Sequence, residues 1–535
     1  MKIIKKLNQY CDNHTLFVYV IAAVFFTLLV FGVTIGCGTM NSGWHFVDDH
    51  EFLEWINPVR EGRSSTIGQL QHVFWSGFTG RFRPLYAPFR FLTILLFGNN
   101  IQYYSLLKAV ETILAFFLLF CLGRKMKATF CSSVAFSLIS LVGYQSAIWW
   151  KLGPQEVQGT IFFALGMIFL EKWIQGKKKG NGILSFLFFW IMSNWKESFI
   201  LLLPFAAIYL IYRTEDIGEN NESYFIRGMT RIKQHWLYLA AIGLTFSIII
   251  VIIVLKIGTN ASSGGGISPS IGIRTIADSY YYAFGHDLKY YAILTPVMTA
   301  ILLTYWESLK KMWKEIFLLC VFLVPQLLLY GKEAMAERYI IPSSIGYGMF
   351  FVLASSKAGF LSGKRRKIYQ LAVLLLILLG LRTTLIEADY YRYRGESVTN
   401  ALEYIRNETE ENSDVSVMSC LGYSNPEADN TVAAWMEYYG QEEQMYYWSE
   451  SDDSVRDYRA QADQKDDCEY DLYDMDIVIA YNATDRHYTG KCKPVRDQLL
   501  TSDYTMVSAG TIDIYVHNNS DIGLPDDQIR TSYYQ

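Results

Sequence analysis

The stretch WHFVDDHEFLEWINPVREGRSSTIGQLQHVFWSGFTGRFRPLYAPFR, Trp44 to Arg90, decides how the chain is read. It follows the first long apolar segment. It opens on adjacent carboxylates, Asp48 and Asp49, and closes on Arg81, Arg83 and Pro84 before the next apolar run. Residues 50–57 and 69–79 put aromatics and aliphatics on one side, the pattern of short amphipathic helices lying in a membrane interface. Trp44, Trp55 and Trp75 suit that depth. Residues 82–97 are apolar but carry Arg83, Pro84, Pro88 and Arg90, so they read as a half-buried approach helix rather than a span. Acids beside a membrane surface, answered by guanidinium groups further on, are what activating a hydroxyl near an anionic lipid requires.

Working outward, half of the 535 residues are hydrophobic and 16% are aromatic, high for a soluble protein. The formal charge of −4 hides a division. Residues 1–385 carry 36 Lys+Arg against 20 Asp+Glu, and residues 386–535 carry 11 against 31. A basic apolar body is therefore followed by an acidic domain.

The body reads as a polytopic membrane protein. With roughly 20 apolar residues needed per crossing, about eleven spans are expected. They fall near 15–38, 102–122, 128–149, 156–174, 183–195, 198–212, 236–256, 288–306, 315–330, 339–355 and 368–385. The first is too long for a cleaved signal peptide and no small-residue cleavage pattern follows it. With Lys2, Lys5 and Lys6 inside, every loop after an even-numbered span is basic, as cytoplasmic loops are. That topology places the first loop, the loop 257–287 and the acidic domain outside the cytoplasm of a cell membrane.

The spans 183–195 and 198–212 are short, about 20 Å each at 1.5 Å per residue. Between them Lys196 and Glu197 sit below the outer surface, where ionisable groups face a cavity or a partner. One reading is a Lys–Glu pair capping a hairpin; the other is a lysine placed for a lipid phosphate. Lys108 and Glu111, one turn apart, are expected to pair with each other.

An order of motifs carries a resemblance. Asp48-Asp49 follows the first span, interfacial helices come next, and Gly80-Arg81-Phe82-Arg83-Pro84-Leu85 leads into the second span. Lys196-Glu197 ends a mid-chain helix, and Glu337-Arg338-Tyr339 lies just before Pro342. Over residues 1–385 this resembles the GT-C membrane glycosyltransferases of the protein mannosyltransferase type. The resemblance implies transfer of a sugar from a polyprenyl-phosphate lipid to an acceptor on the external face, with inversion. The acceptor would be a cell-envelope glycan, polymer or protein. It also implies that the loop 257–287 covers the site; by composition that loop, with Ser262-Ser263-Gly264-Gly265-Gly266, reads equally as a linker.

The chemistry of such a transfer needs a base for the hydroxyl proton and cations for the leaving phosphate. Asp48 or Asp49 supplies the base, its proton affinity raised by its neighbour, and the resemblance favours Asp48. Arg81, Arg83, Lys196 and Arg338 are the candidate phosphate ligands, Arg as a bidentate fork and Lys as a point charge. Glu197, Arg274 and His286 are supporting candidates. No resident cofactor is expected, although His45, Asp48, Asp49 and His50 form a set able to hold a divalent metal.

The acidic domain, 386–535, reads as a small α/β layer. Helices are expected near 396–411, 431–439, 453–463 and 494–501, and strands near 414–419, 475–481, 505–508 and 511–517. A Cys468–Cys492 bridge is one pairing among three cysteines. No Gly-rich nucleotide loop, P-loop or paired CxxC occurs, and no nucleic-acid partner is expected. A transporter or flippase of a lipid-linked substrate, or a non-catalytic membrane scaffold, are the competing readings. Transporters often carry internal repeats, and none is evident.

Overall fold

A computed structural model describes residues 15–46, 49–79, 81–213, 224–257, 273–286, 288–330, 337–354, 361–412, 414–422, 426–441, 444–449, 454–458, 471–486, 493–501, 503–520 and 522–524. The chain is mostly helical and ends in a small sheet. Among the described residues five helices are long and apolar enough to cross a membrane: Leu16–Gly36, Ile101–Lys125, Glu156–Gly176, Gly228–Lys256 and Gly363–Glu411.

Other apolar runs are interrupted. The run 128–149 becomes the helix Phe130–Leu141, then Gly143 at φ 115°, then a 3-10 stretch Tyr144–Trp149. A Cβ at Gly143 would lie 2.5 Å from the Tyr290 hydroxyl, so only glycine fits this break. The run 198–212 splits into a single turn, Glu197–Ile200, and a helix, Leu203–Arg213. The run 339–355 follows a 3-10 turn, Glu337–Ile340, with a helix, Ile341–Gly348, and a π-helical stretch, Met349–Ala354. Such breaks are tolerated at membrane depth where protein surrounds the backbone. Elsewhere two expected elements fuse. The run 368–385 and the helix 396–411 form one helix of 49 residues, Gly363–Glu411, about 74 Å long at 1.5 Å per residue.

The chain divides into two compact units. The first comprises Met1–Val33, His72–Phe89 and Leu107–Glu387; the second comprises Thr34–Gln71, Arg90–Leu106 and Ala388–Gln535. Much of the first loop thus clusters with the acidic C-terminal part.

In the first unit, Glu156–Gly176 packs along the helix Lys179–Ser193. Small residues set the approach: a Cβ at Gly166 would meet the Phe189 ring at 2.8 Å, and one at Gly159 would meet the Phe199 ring at 2.7 Å. Phe163, Phe205 and Phe322 fill the space between helices, with Phe205 and Phe322 edge-to-face at 4.8 Å.

In the second unit, six strands run in the order β3-β2-β1-β4-β6-β5. They are β1 Val417–Ser419, β2 Met445–Ser449, β3 Ser454–Asp457, β4 Ile477–Tyr481, β5 Tyr504–Ala509 and β6 Ile512–His517. β1 is parallel to β2 and β4; the remaining pairs are antiparallel. The helix Pro426–Tyr438 connects β1 to β2. β4 is buried along its whole length, which its unbroken IVIAY run anticipates. The expected helix 453–463 is not formed at its start: Ser454–Asp457 is a strand, because Val455 enters the core and the ladder with β2 overrides local preference. β2, MYYWS, went unread as a strand although its aromatics favour one.

The first-loop helix His50–Arg60 does not rest on lipid alone. Its apolar face, Phe52, Leu53 and Ile56, is buried, and it packs on the helix Pro426–Tyr438. Asn57 donates to the Ala434 carbonyl at 3.1 Å and to Glu437 at 2.7 Å, and the Arg60 guanidinium stacks on Tyr438 at 3.5 Å. Trp44, expected at an interface, is 3% exposed among Phe52, Tyr104 and Trp435. Trp75, by contrast, is 63% exposed.

Candidate functional site

Helix Glu156–Gly176 opens with a carboxylate that solvent does not reach, Glu156. Two cations address its Oε1. Lys196 Nζ forms a salt bridge with it, and Arg338 Nε lies 4.0 Å away. Lys196 occupies an extended backbone position, φ −157° and ψ 143°, just before the turn Glu197–Ile200. The chain break there aims a buried lysine inward, where an unbroken helix would have carried it round. Lys196 and Arg338 also flank one ring: Lys196 Nζ is 4.8 Å and the Arg338 guanidinium 5.0 Å from the Tyr339 centroid.

Neighbouring segments complete the cluster. Lys151, just after the Tyr144–Trp149 stretch, pairs with Glu337 of the Glu337–Ile340 turn. Lys108 donates to the Pro154 carbonyl at 2.6 Å and pairs with Glu111 at 3.7 Å, as their one-turn spacing predicts. Gln158 donates to both Glu111 oxygens, at 2.8 and 2.7 Å. From the Arg83-Pro84-Leu85 turn, Leu85 N–H donates to the Asn194 carbonyl at 3.2 Å and the Tyr86 hydroxyl donates to Gly153 at 3.0 Å. Arg83 lies 5.1 Å over the Tyr86 ring.

Lys151, Lys196 and Arg338 thus gather with two carboxylates, Glu156 and Glu337. Glu156 Oε2, Gln155 Oε1, Trp195 Nε1, Ser198 Oγ and Gln326 Oε1 are buried and make no hydrogen bond among the described residues. Each such atom costs about 1–3 kcal/mol. Native interiors satisfy most of them. A cluster of them beside buried cations is suited to a polar guest.

The sequence-derived candidates distribute as follows. Lys196 and Arg338 meet at Glu156, and Arg83 belongs to the turn that hydrogen-bonds into the same segments. Arg81 is partly buried in that turn. Glu197 does not pair with Lys196; its Oε1 is buried without a hydrogen bond. Arg274 is on the surface, 3.9 Å from Asp278, and His286 is exposed and stacked on Tyr282 at 4.6 Å. Asp48 lies outside the described residues, as do Cys468, Cys492 and 258–272, which hold the Gly-rich segment.

Asp49 belongs to the second unit. It is 1% exposed and accepts from His45 N–H at 2.7 Å. Its loop is held closely against the helix Gly363–Glu411. Trp44 N–H donates to Thr399 Oγ1 at 2.8 Å, the His45 ring stacks on Tyr391 at 3.6 Å, and Phe46 meets Tyr481 edge-on. Gly395 permits this: a Cβ there would lie 2.2 Å from the Ser42 carbonyl oxygen and 2.5 Å from His45 Nε2. Among the described residues no three His, Cys, Asp or Glu side chains gather as a metal would need; the His50 side chain, like Asp48, is outside them.

Glu156, Lys151 and Gln158 were missed in the sequence. The signal was present in Lys151-Leu-Gly-Pro-Gln-Glu156, charges on both sides of a Gly-Pro turn at the mouth of an apolar span.

Fold and site define a helical protein of membrane type with a buried cation–carboxylate cluster and a C-terminal sheet. Set against known protein families and characterised proteins, the chain matches none.

Proposed function

We propose that this is a membrane glycosyltransferase of about eleven crossings, inserted with a cytoplasmic N-terminus, that uses a polyprenyl-phosphate-linked sugar. The observation that carries the reading is the meeting of Lys196 and Arg338 at Glu156, with buried unsatisfied polar atoms around them. Such a group suits a lipid phosphate. In the reaction the acceptor oxygen bonds to the anomeric carbon while the bond from that carbon to the phosphate oxygen breaks. The lipid phosphate leaves with the electron pair, and its growing charge is what Lys196 and Arg338 would stabilise. The hydroxyl proton passes to a carboxylate, assigned to Asp48 with Asp49 as its neighbour. A divalent metal is not required by this scheme.

Two measurements test it. Mass spectrometry of lipid co-purified with the protein is expected to find a polyprenyl phosphate or its sugar conjugate. Asp48→Asn is expected to abolish sugar transfer while donor retention is unchanged; full turnover by that variant moves the base elsewhere.

A second reading rests on the interrupted elements. Tyr144–Trp149, Glu197–Ile200 and Glu337–Ile340 are broken segments beside buried charges, a feature of transporters as well. A flippase would move the labelled lipid between leaflets with its sugar still attached, so counting transferred against translocated sugar separates the two.

A further inference from the structure

The far end of helix Glu156–Gly176 carries a second site. Fifteen residues beyond Glu156, about 22 Å along the helix, Glu171 is again fully buried. It accepts from the Tyr209 hydroxyl and from Gln175 at 2.9 Å, and Arg213 Nε stands 3.3 Å away. Arg213 and Tyr209 line a cavity of about 830 Å³ within the first unit. Its lining includes the apolar side chains Phe205, Leu318, Phe322 and Phe350. It also includes the charged residues Lys310, Lys314, Glu307 and Glu315.

The cations are not equivalent. Lys310 is engaged by Glu307 at 2.9 Å. Arg213 Nε donates to Glu171 and the guanidinium also hydrogen-bonds the Tyr209 hydroxyl, while its side chain is 37% exposed. Those two contacts fix the plane of the guanidinium and leave its exposed edge able to address a phosphate. Trp313 lines the same cavity and is 41% exposed, and Trp306 nearby is 55% exposed, as tryptophans at a lipid–water boundary are. The volume lies within the usual range of ligand pockets.

We propose that this cavity binds a membrane phospholipid, its phosphate on Arg213 and the start of an acyl chain against Leu318 and the ring of Phe350. A soluble phosphate would use the guanidinium edge but not the apolar side chains. The site is separate from the Glu156 cluster and does not depend on the glycosyltransferase reading.

Native mass spectrometry of the full-length protein, delipidated in detergent and then given phosphatidylglycerol, tests it. The unaltered protein is expected to retain one phospholipid. Leu318→Trp, which fills the cavity, and Arg213→Gln are expected to lower that occupancy at least tenfold. Should Arg213→Gln fail to fold, judged by gel filtration, Leu318→Trp carries the comparison. Photoactivatable phospholipid is expected to label the segment 313–322 in the unaltered protein. Retention unchanged in Leu318→Trp, or labelling only elsewhere, overturns the proposal. So does full displacement by inorganic pyrophosphate, which would make the site one for a soluble anion.

Discussion

Glu156 and Glu171 sit on one helix, both buried to zero exposure, and their surroundings are opposite. Glu171 has a hydroxyl, an amide and a guanidinium on its two oxygens. Glu156 has a lysine and a distant arginine on one oxygen and no hydrogen bond on the other. A fully partnered buried carboxylate is a structural brace, because removing it strands the groups that faced it. A half-partnered one among buried cations serves stability poorly and recognition well. Equal burial therefore does not mean equal role; the count of satisfied lone pairs separates them.

The largest effect is expected at the brace. Glu171→Leu strands the buried Tyr209 hydroxyl, with Arg213 37% exposed to water, and should lower stability by about 1–3 kcal/mol, read as a fall in thermal midpoint in detergent. Glu156→Gln should cost far less, since Gln still accepts from Lys196. Equal losses at the two positions would erase the distinction drawn between them.

Next comes the recognition end. Lys196→Met is expected to reduce sugar transfer by about 10²–10³, the scale of losing one preorganised donor to a charged transition state. Its thermal midpoint should fall as well, since the buried Glu156 keeps only Arg338 at 4.0 Å. If turnover holds while the midpoint drops, Lys196 is a second brace.

Asp429 adds a buried carboxylate held by two uncharged donors. It accepts from the Ser419 hydroxyl and from Gly422 N–H at 2.9 Å. Burial pushes its carboxyl up to about 7, against the smaller opposing pull of those two bonds. A raised acid is protonated in the folded chain over a range where the unfolded chain has lost the proton. Stability is therefore greatest below about pH 4, declines as pH rises toward 7, and is level above that. The full linkage is about 4 kcal/mol at 1.4 kcal/mol per unit. About 2 kcal/mol is expected once local opening admits water. Asp429→Asn should flatten this slope, measured by hydrogen exchange across 417–436. An unaltered slope would remove the titration from Asp429.

How much of this was legible beforehand varies with the kind of signal. The apolar body and the acidic C-terminal part follow from hydropathy and charge, which act over long windows and survive local error. Lys196 was readable because an ionisable residue at membrane depth is costly and so rarely accidental; Arg338 was read through the resemblance, from Glu337-Arg338-Tyr339 before Pro342. Glu156 was not, since it stands at the start of a span and looks like an ordinary boundary charge; only the break before Glu197 turns Lys196 toward it. Trp44 was misplaced for a similar reason. A tryptophan near a membrane segment fits the interface by composition, but its burial comes from Trp435, nearly 400 residues away, which no local pattern can report. The strand Ser454–Asp457 was lost for a different reason, since its partner is the adjacent strand Met445–Ser449, itself unread.

Asp49 offers the smallest effect and the subtlest break of the comparison, because a carboxylate held on a loop depends on how closely that loop is clamped. The clamp is steric at Gly395, where an added methyl would overlap the backbone oxygen of Ser42. Backbone cannot rotate away as a side-chain tip can, so the loop itself must move. Overpacking of this kind costs about 1–3 kcal/mol. Gly395→Ala should therefore lower protection of amides 42–49 by up to about a hundredfold in hydrogen exchange, at about 1.4 kcal/mol per tenfold, while leaving the helix Glu156–Gly176 untouched. If sugar transfer falls together with that protection, the loop acts through its geometry. If protection falls and transfer does not, the aspartate pair is one more brace, and the proton acceptor belongs among the carboxylates of the first unit.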